Sequence, residues 1–164
     1  MTDDWMLYFD HICIFEKNIW MERYQLIDRS VTALPKDLPM PPTTNLSFLF
    51  AECYNLQDIS ALSNWDVSEV ENMCYMFHNC RCLRDLSPLS DWDVSNVTNM
   101  YEMFSYCISL DKWDVSVISR WNISRVKYMS SMFNNCPELQ YIASPYDRRV
   151  NGIDDPRCFF KTYQ

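Results

Sequence analysis

The chain has 164 residues, a formal net charge of −8, 48% hydrophobic residues and one glycine, Gly152. So much apolar and aromatic content excludes disorder over most of the length and is enough to build a real core. A single glycine excludes phosphate-cradling loops and dinucleotide fingerprints, which need several for close backbone approach, and the acidic balance repels a nucleic-acid backbone.

In chain order, residues 1–37 read as an N-terminal cap. WMLYFDHICIF is strand-like, and EKNIWMERYQLIDRS reads as an amphipathic helix. LPKDLPMPP, rich in proline, is the linker into the first coil. No segment combines a basic start, an apolar core and a small-residue cleavage site, and no apolar run reaches the roughly 18 residues of a spanning helix. The expectation is a soluble chain without signal peptide or membrane partner.

Residues 38–142 are dominated by a repeated phrase. WDVSEVENMCYMF begins at Trp65, WDVSNVTNMYEMF at Trp92 and WNISRVKYMSSMF at Trp121, so the copies are 27 and 29 residues apart. A weaker copy precedes them: Leu46, Leu49, Phe50, Cys53, Leu56 and Ile59 stand 27 residues before Met73, Met76, Phe77, Cys80, Leu83 and Leu86. Such a period signals a solenoid, in which each unit buries its apolar face only against its neighbours.

Within each unit, Ser68, Ser95 and Ser124 precede an apolar stripe and fit a helix N-cap, with Glu71 completing a capping box after Ser68. Val70, Met73, Phe77 and Cys80 recur at helical spacing, as do Val97, Met100, Phe104 and Cys107, and Val126, Met129, Phe133 and Cys136. A short apolar alternation comes next, Leu56/Ile59, Leu83/Leu86, Leu110/Trp113 and Leu139/Ile142, which stacked at about 4.8 Å makes a narrow parallel sheet. The fold expected is an α/β repeat solenoid of about four coils of 27–29 residues, each with one helix and one short parallel strand. An irregular stretch, LDKWDVSVISRWNIS, carries a second WDVS at Trp113; Trp121 keeps the register and Trp113 substitutes at a strand position. Residues 143–164 read as a C-terminal cap.

W-[DN]-[VI]-S-x-V-x-[NY]-M-x-x-M-F-x-x-C-x-x-L resembles the BspA-type leucine-rich repeat, in the variant of mycoplasma and other bacterial surface proteins, and residues 92–110 match it almost letter for letter. The resemblance covers about residues 45–142. It implies a right-handed, leucine-rich-repeat-like solenoid that binds other macromolecules, and it brings no catalytic residues. Similar repeats occur in proteins of protists and large DNA viruses. With no visible leader or anchor and about four coils, an intracellular or virion setting is favoured over a cell surface.

The sharper chemical readings are weaker. CYMFHNCRC (74–82) brings His78 near Cys74, Cys80 and Cys82, but the spacing departs from zinc fingers and Cys80 belongs to the repeat, so no metal or cofactor is expected. Cys53, Cys80, Cys107 and Cys136 instead form a stacked ladder of buried thiols. With His11 and His78 the only histidines and no glycine-flanked elbow, an enzyme is not expected. The expected function is a non-catalytic protein-interaction module, or else a structural subunit of a viral particle or homomeric array that self-associates through the aromatic-rich ends (Trp5, Tyr8, Phe9, Phe159, Phe160, Tyr163). Candidate contacts are the non-repeat residues of the strand edge: Gln57, Asp58, Arg84, Asp85, Asp111, Lys112, Gln140 and Tyr141.

Overall fold

The computed structural model describes residues 6–9, 12–18 and 23–139. The C-terminal cap expected at 143–164 lies outside them. The chain opens with a three-stranded antiparallel sheet, β1 (Met6–Phe9), β2 (Ile12–Asn18) and β3 (Arg23–Leu26), in the order β1-β2-β3. β2 and β3 pair Phe15 with Leu26 and Asn18 with Arg23. The amphipathic helix expected from residue 16 is therefore corrected: Glu16–Asn18 and Arg23–Leu26 are strand, and the pairing places alternate residues of β3, Tyr24 and Leu26, in the core. The Leu26 N–H donates to Leu49 O at 2.9 Å, tying the sheet to the first repeat.

The repeats stack through their backbones. In the second one, Met73 N–H donates to Asn99 O (2.8 Å), Tyr75 to Tyr101 O (2.9 Å), Phe77 to Met103 O (2.9 Å) and Asn79 to Ser105 O (2.7 Å). The intervening donors are satisfied at home: Cys74 N–H by Asn72 Oδ1 (3.0 Å), Met76 by Met73 O (3.2 Å), His78 by Tyr75 O (3.0 Å) and Cys80 by Phe77 O (3.2 Å). The preceding repeat bonds onto this one in the same way through Leu46, Phe48, Phe50 and Glu52, and the third bonds onto the fourth through Met100, Glu102, Phe104 and Tyr106. Parallel bridges Asn45–Asn72, Asn72–Asn99 and Asn99–Tyr128 mark the start of each stacked segment.

The helix expected in each repeat is thus replaced by consecutive tight turns. The stripe M-x-x-M-F-x-x-C satisfies helical spacing, but turns closed by bonds from residue i+3 to residue i also return an inward position every third or fourth residue. Met73–Met76 and Phe77–Cys80 are such turns, and their third residues, Tyr75 and Asn79, have φ of 58° and 62°. The left-handed set is periodic: Phe48 and Glu52, Tyr75 and Asn79, Glu102 and Tyr106, Ser131 and Asn135. None is glycine, and each costs on the order of 1 kcal/mol. Every one of the first six donates its N–H to the next repeat, which offsets that cost.

The stacked parallel segment is this stripe and not the L-x-x-L alternation, which is a second correction. Leu56, Ile59, Leu83, Leu86, Leu110 and Leu139 are buried, but Leu56/Ile59 and Leu83/Leu86 lead into single turns of 3-10 helix at Ser60–Asn64 and Ser87–Leu89, and Leu139 itself ends one at Pro137–Leu139. Nor are the serines helix caps. Ser68, Ser95 and Ser124 each donate a backbone N–H to the side chain two residues earlier, on Asp66 (3.1 Å), Asp93 (3.0 Å) and Asn122 (3.3 Å), and Glu71 N–H donates to Thr44 O. The W-[DN]-x-S phrase is an Asx turn.

The repeated residues make continuous columns. Phe50, Phe77, Phe104 and Phe133 stack at 5.4, 5.4 and 5.6 Å between centroids. Trp65, Trp92 and Trp121 are buried, and each indole N–H donates at 2.9 Å to a carbonyl of the repeat before, on Leu38, Leu62 and Leu89. Trp121 therefore holds the register across the irregular stretch. Trp113 does not replace a buried leucine: it lies on α1 (Lys112–Ser116), the one α-helix among the described residues, and is 70% exposed. Cys53, Cys80, Cys107 and Cys136 form the buried column expected, unbonded to one another; the last three thiols donate to Phe50, Phe77 and Phe104 O at 3.1–3.3 Å. Burial pushes the thiols of Cys53 and Cys136 up to about 12, so they stay protonated and unreactive.

The turn conformation has a direct test at Tyr106. Tyr106→Gly and Tyr106→Ala both lose the ring, but at a left-handed position glycine is favoured by about 1 kcal/mol, whereas in a helix alanine is favoured by as much. Urea unfolding midpoints should place the glycine variant above the alanine variant; the reverse order belongs to a helix.

Candidate functional site

The tight turns that bury Met, Phe and Cys turn most of the larger intervening residues outward onto one face, while the small Ser47, Ala51, Ser105 and Ser131 are buried. There the second repeat contributes Tyr75, His78 and Asn79, its neighbours contribute Phe48, Glu52 and Tyr54 on one side, and Tyr101, Glu102 and Tyr106 on the other. Residues distant in sequence by about one repeat become neighbours because the hydrogen-bonded stacking pairs them directly.

Rings form the centre of this face. Phe48 stacks on Tyr75 at 4.5 Å, Tyr75 meets Tyr101 edge-on at 5.4 Å, and His78 lies edge-on between Tyr75 (5.2 Å) and Tyr106 (5.5 Å). Carboxylates flank the rings. Glu52 accepts from Asn79 Nδ2 (3.0 Å) and from the Tyr54 hydroxyl, and the Tyr75 hydroxyl donates to Glu102 (3.3 Å). His78 sits between the two acids, Nε2 3.8 Å from Glu52 and Nδ1 3.6 Å from Glu102. Arg81 lies over the Tyr54 ring at 5.3 Å, a cation–π contact already made on this face.

Burial pushes His78 below its ordinary value, against the opposing pull of Glu102 and Glu52, and burial also raises the Tyr75 hydroxyl. His78 is therefore neutral at pH 7, and the surface presents carboxylates and ring faces. No group of three His, Cys, Asp or Glu side chains is arranged to hold a metal ion among the described residues. His78 is turned to Glu52 and Glu102, and the Cys80 thiol is engaged with Phe50 O, so the residues of CYMFHNCRC do not converge.

The strand-edge candidates occupy a different surface. Gln57, Asp58, Arg84 and Asp85 are exposed and Asp111 is half-buried. Three of them have structural work: Asp58 Oδ1 accepts the Ser60 N–H (2.8 Å), Asp85 Oδ1 that of Ser87 (2.8 Å) and Asp111 Oδ1 that of Trp113 (2.7 Å). Lys112 begins α1, while Gln140 and Tyr141 lie outside the described residues. The aromatic–carboxylate face is absent from the sequence-based candidates. Its signal is the two x-x pairs inside M-x-x-M-F-x-x-C, filled with Cys-Tyr, His-Asn, Tyr-Glu and Ser-Tyr in the middle repeats where a helix surface would carry small or charged residues.

Because His78 binds protons less readily folded than unfolded, stability contributed by its neutral form is present above the unfolded value of about 6.5 and is lost as pH falls below it. Thermal melts should therefore decline from pH 7 toward pH 5, and His78→Gln should flatten that decline. An unchanged slope in the variant would assign the acid sensitivity elsewhere.

Among the described residues no helix is long and apolar enough to cross a membrane. No curated protein and no solved structure gives a significant match. One family model does match, over residues 44–156, more than half of the chain and all of the stacked repeats. The chain accordingly belongs to the family described as Mycoplasma protein of unknown function, DUF285.

Proposed function

We propose that this chain is a non-catalytic protein-interaction module on a short BspA-like, leucine-rich-repeat-like solenoid, and that the aromatic–carboxylate face is its recognition surface. The partner segment it suits carries lysine or arginine. The observation behind this reading is the grouping of Tyr54, Tyr75, Tyr101 and Tyr106 with Glu52 and Glu102 on backbone held from both sides by neighbouring repeats. Ring faces and carboxylates together attract a cation, each ring contributing about 0.5–2 kcal/mol. A backbone fixed before binding also lowers the ordering cost. Tyr54 is 44% exposed but already carries Arg81 over its ring, which leaves Tyr106, 41% exposed, to offer a face to a ligand.

A second reading, a structural subunit of a viral particle or homomeric array, is favoured by one feature. Among the described residues β1 is an edge strand of the N-terminal sheet, and such an edge is able to pair with another chain. Substitutions in β1 would then disrupt assembly more than changes at Gln57 or Arg84.

Fluorescence anisotropy with matched lysine-rich, glutamate-rich and neutral peptides separates these readings. The module should prefer the basic peptide, and Tyr106→Ala or Glu52→Gln should weaken that binding roughly three- to thirty-fold. Gln57→Ala should leave it unchanged. Equal affinity for all three peptides, or indifference to Tyr106, would overturn the assignment.

A further inference from the structure

On the surface next to the Asx turns, equivalent positions of successive repeats change sign of charge. Glu71, Thr98 and Lys127 form one column: Thr98 N–H donates to Glu71 O (2.8 Å) and Lys127 N–H to Thr98 O (2.8 Å). Glu69, Asn96 and Arg125 form the adjacent column, in which Asn96 Nδ2 donates to Ser68 O (2.8 Å) and the Arg125 guanidinium to Asn96 Oδ1. From the second repeat to the fourth each column therefore runs from acidic, through neutral, to basic, with the uncharged Thr44 ahead of Glu71 in the first. Glu69, Glu71, Arg125 and Lys127 lie at the surface, and none has an ion-pair partner among the described residues.

A surface with this antisymmetry is complementary to itself turned end for end. We propose that two copies of this chain pair through the Glu69/Glu71–Arg125/Lys127 face about a two-fold axis passing beside Asn96 and Thr98. Each column then faces its own copy reversed. Glu69 meets Arg125 of the second copy and Glu71 meets Lys127, each pair occurring twice, while Asn96 and Thr98, whose side chains bond within their own chain, meet themselves as uncharged groups at the axis. The acidic and basic ends lie two repeats apart, about 10 Å, so all four pairs fit within one compact patch. Asp93 stands just before this patch, its Oδ1 already holding the Ser95 N–H at 3.0 Å.

Tyr128 supplies the apolar contact. Asn45, Asn72 and Asn99 fill its position in the other repeats and turn their side-chain oxygens back onto the backbone N–H two residues on. A tyrosine has no such bond to make, and Tyr128 stands 62% exposed beside Lys127. Isolated surface charge pairs are weak, so a ring at the patch edge matters for affinity. The pairing uses neither the aromatic–carboxylate face nor β1, and it stands apart from the recognition reading.

Sedimentation velocity over a concentration and salt series tests it. The full chain should dimerise reversibly, the dimer weakening as salt rises. Arg125→Glu with Lys127→Glu makes the patch wholly acidic, and Glu69→Lys with Glu71→Lys makes it basic at both ends. Each double variant alone should dimerise at least tenfold more weakly than the parent, whereas an equimolar mixture should form a heterodimer. Formation of that heterodimer also shows that both variants are folded. Tyr128→Asn should weaken the parent dimer several-fold. A parent that stays monomeric up to its solubility limit would overturn the proposal, as would a dimer indifferent to both reversals or a mixture that does not pair. Peptide titration of the two double variants reports the Tyr106 face separately.

Discussion

Hydrogen bonds passed from each repeat to the next at every second residue are the constraint on which the rest depends. From Leu46 to Glu52, Met73 to Asn79 and Met100 to Tyr106, alternate N–H groups leave their own repeat and the remainder close local turns. This division accounts for the donors without any helix. It also holds six non-glycine residues, Phe48, Glu52, Tyr75, Asn79, Glu102 and Tyr106, in left-handed conformation, a strain that an isolated repeat would not sustain. A single repeat is consequently not a folding unit, because half of its donors need a neighbour.

The side-chain columns arise from the same register. Once the backbones are paired, phenylalanine must lie on phenylalanine and thiol on thiol, at spacings near 5.5 Å for the rings. Indole and thiol donors find carbonyls in the repeat before, so even the polar atoms of buried Trp and Cys are satisfied by stacking. Packing and hydrogen bonding thereby agree on one register. The irregular third interval is absorbed by α1 and a 3-10 turn at Val117–Arg120, on the side of the repeat away from the ladder, and Trp121 re-enters the column by stacking on Trp92 at 6.4 Å.

The register leaves outside the residues on which the proposed recognition would draw. The invariant part of each repeat is inside, whereas the outward positions differ from repeat to repeat. On one face they assemble rings and carboxylates around His78; on another they grade from Glu71 to Lys127. Both surfaces are made of residues that are far apart in the chain and adjacent only because the stacking offset is one repeat.

Much is legible from the residues alone. The period, the buried columns of Trp, Met, Phe, Cys and Leu, and the register held by Trp121 are all written in the repeated letters, since a position that must be buried in every repeat is written the same each time. Local chemistry reads Ser68, Ser95 and Ser124 as helix caps, but a cap requires a helix that is not there, and the Asp or Asn two residues earlier closes an Asx turn instead. The conformation of M-x-x-M-F-x-x-C and the identity of the surfaces are settled by long-range contacts alone. Helical spacing and consecutive turns place the same residues inside, and the choice between them rests on whether a neighbouring backbone receives the alternate N–H groups. That neighbour lies about 27 residues away, beyond the reach of any local pattern, and so does every contact that joins Glu52 to Asn79 or Tyr75 to Glu102.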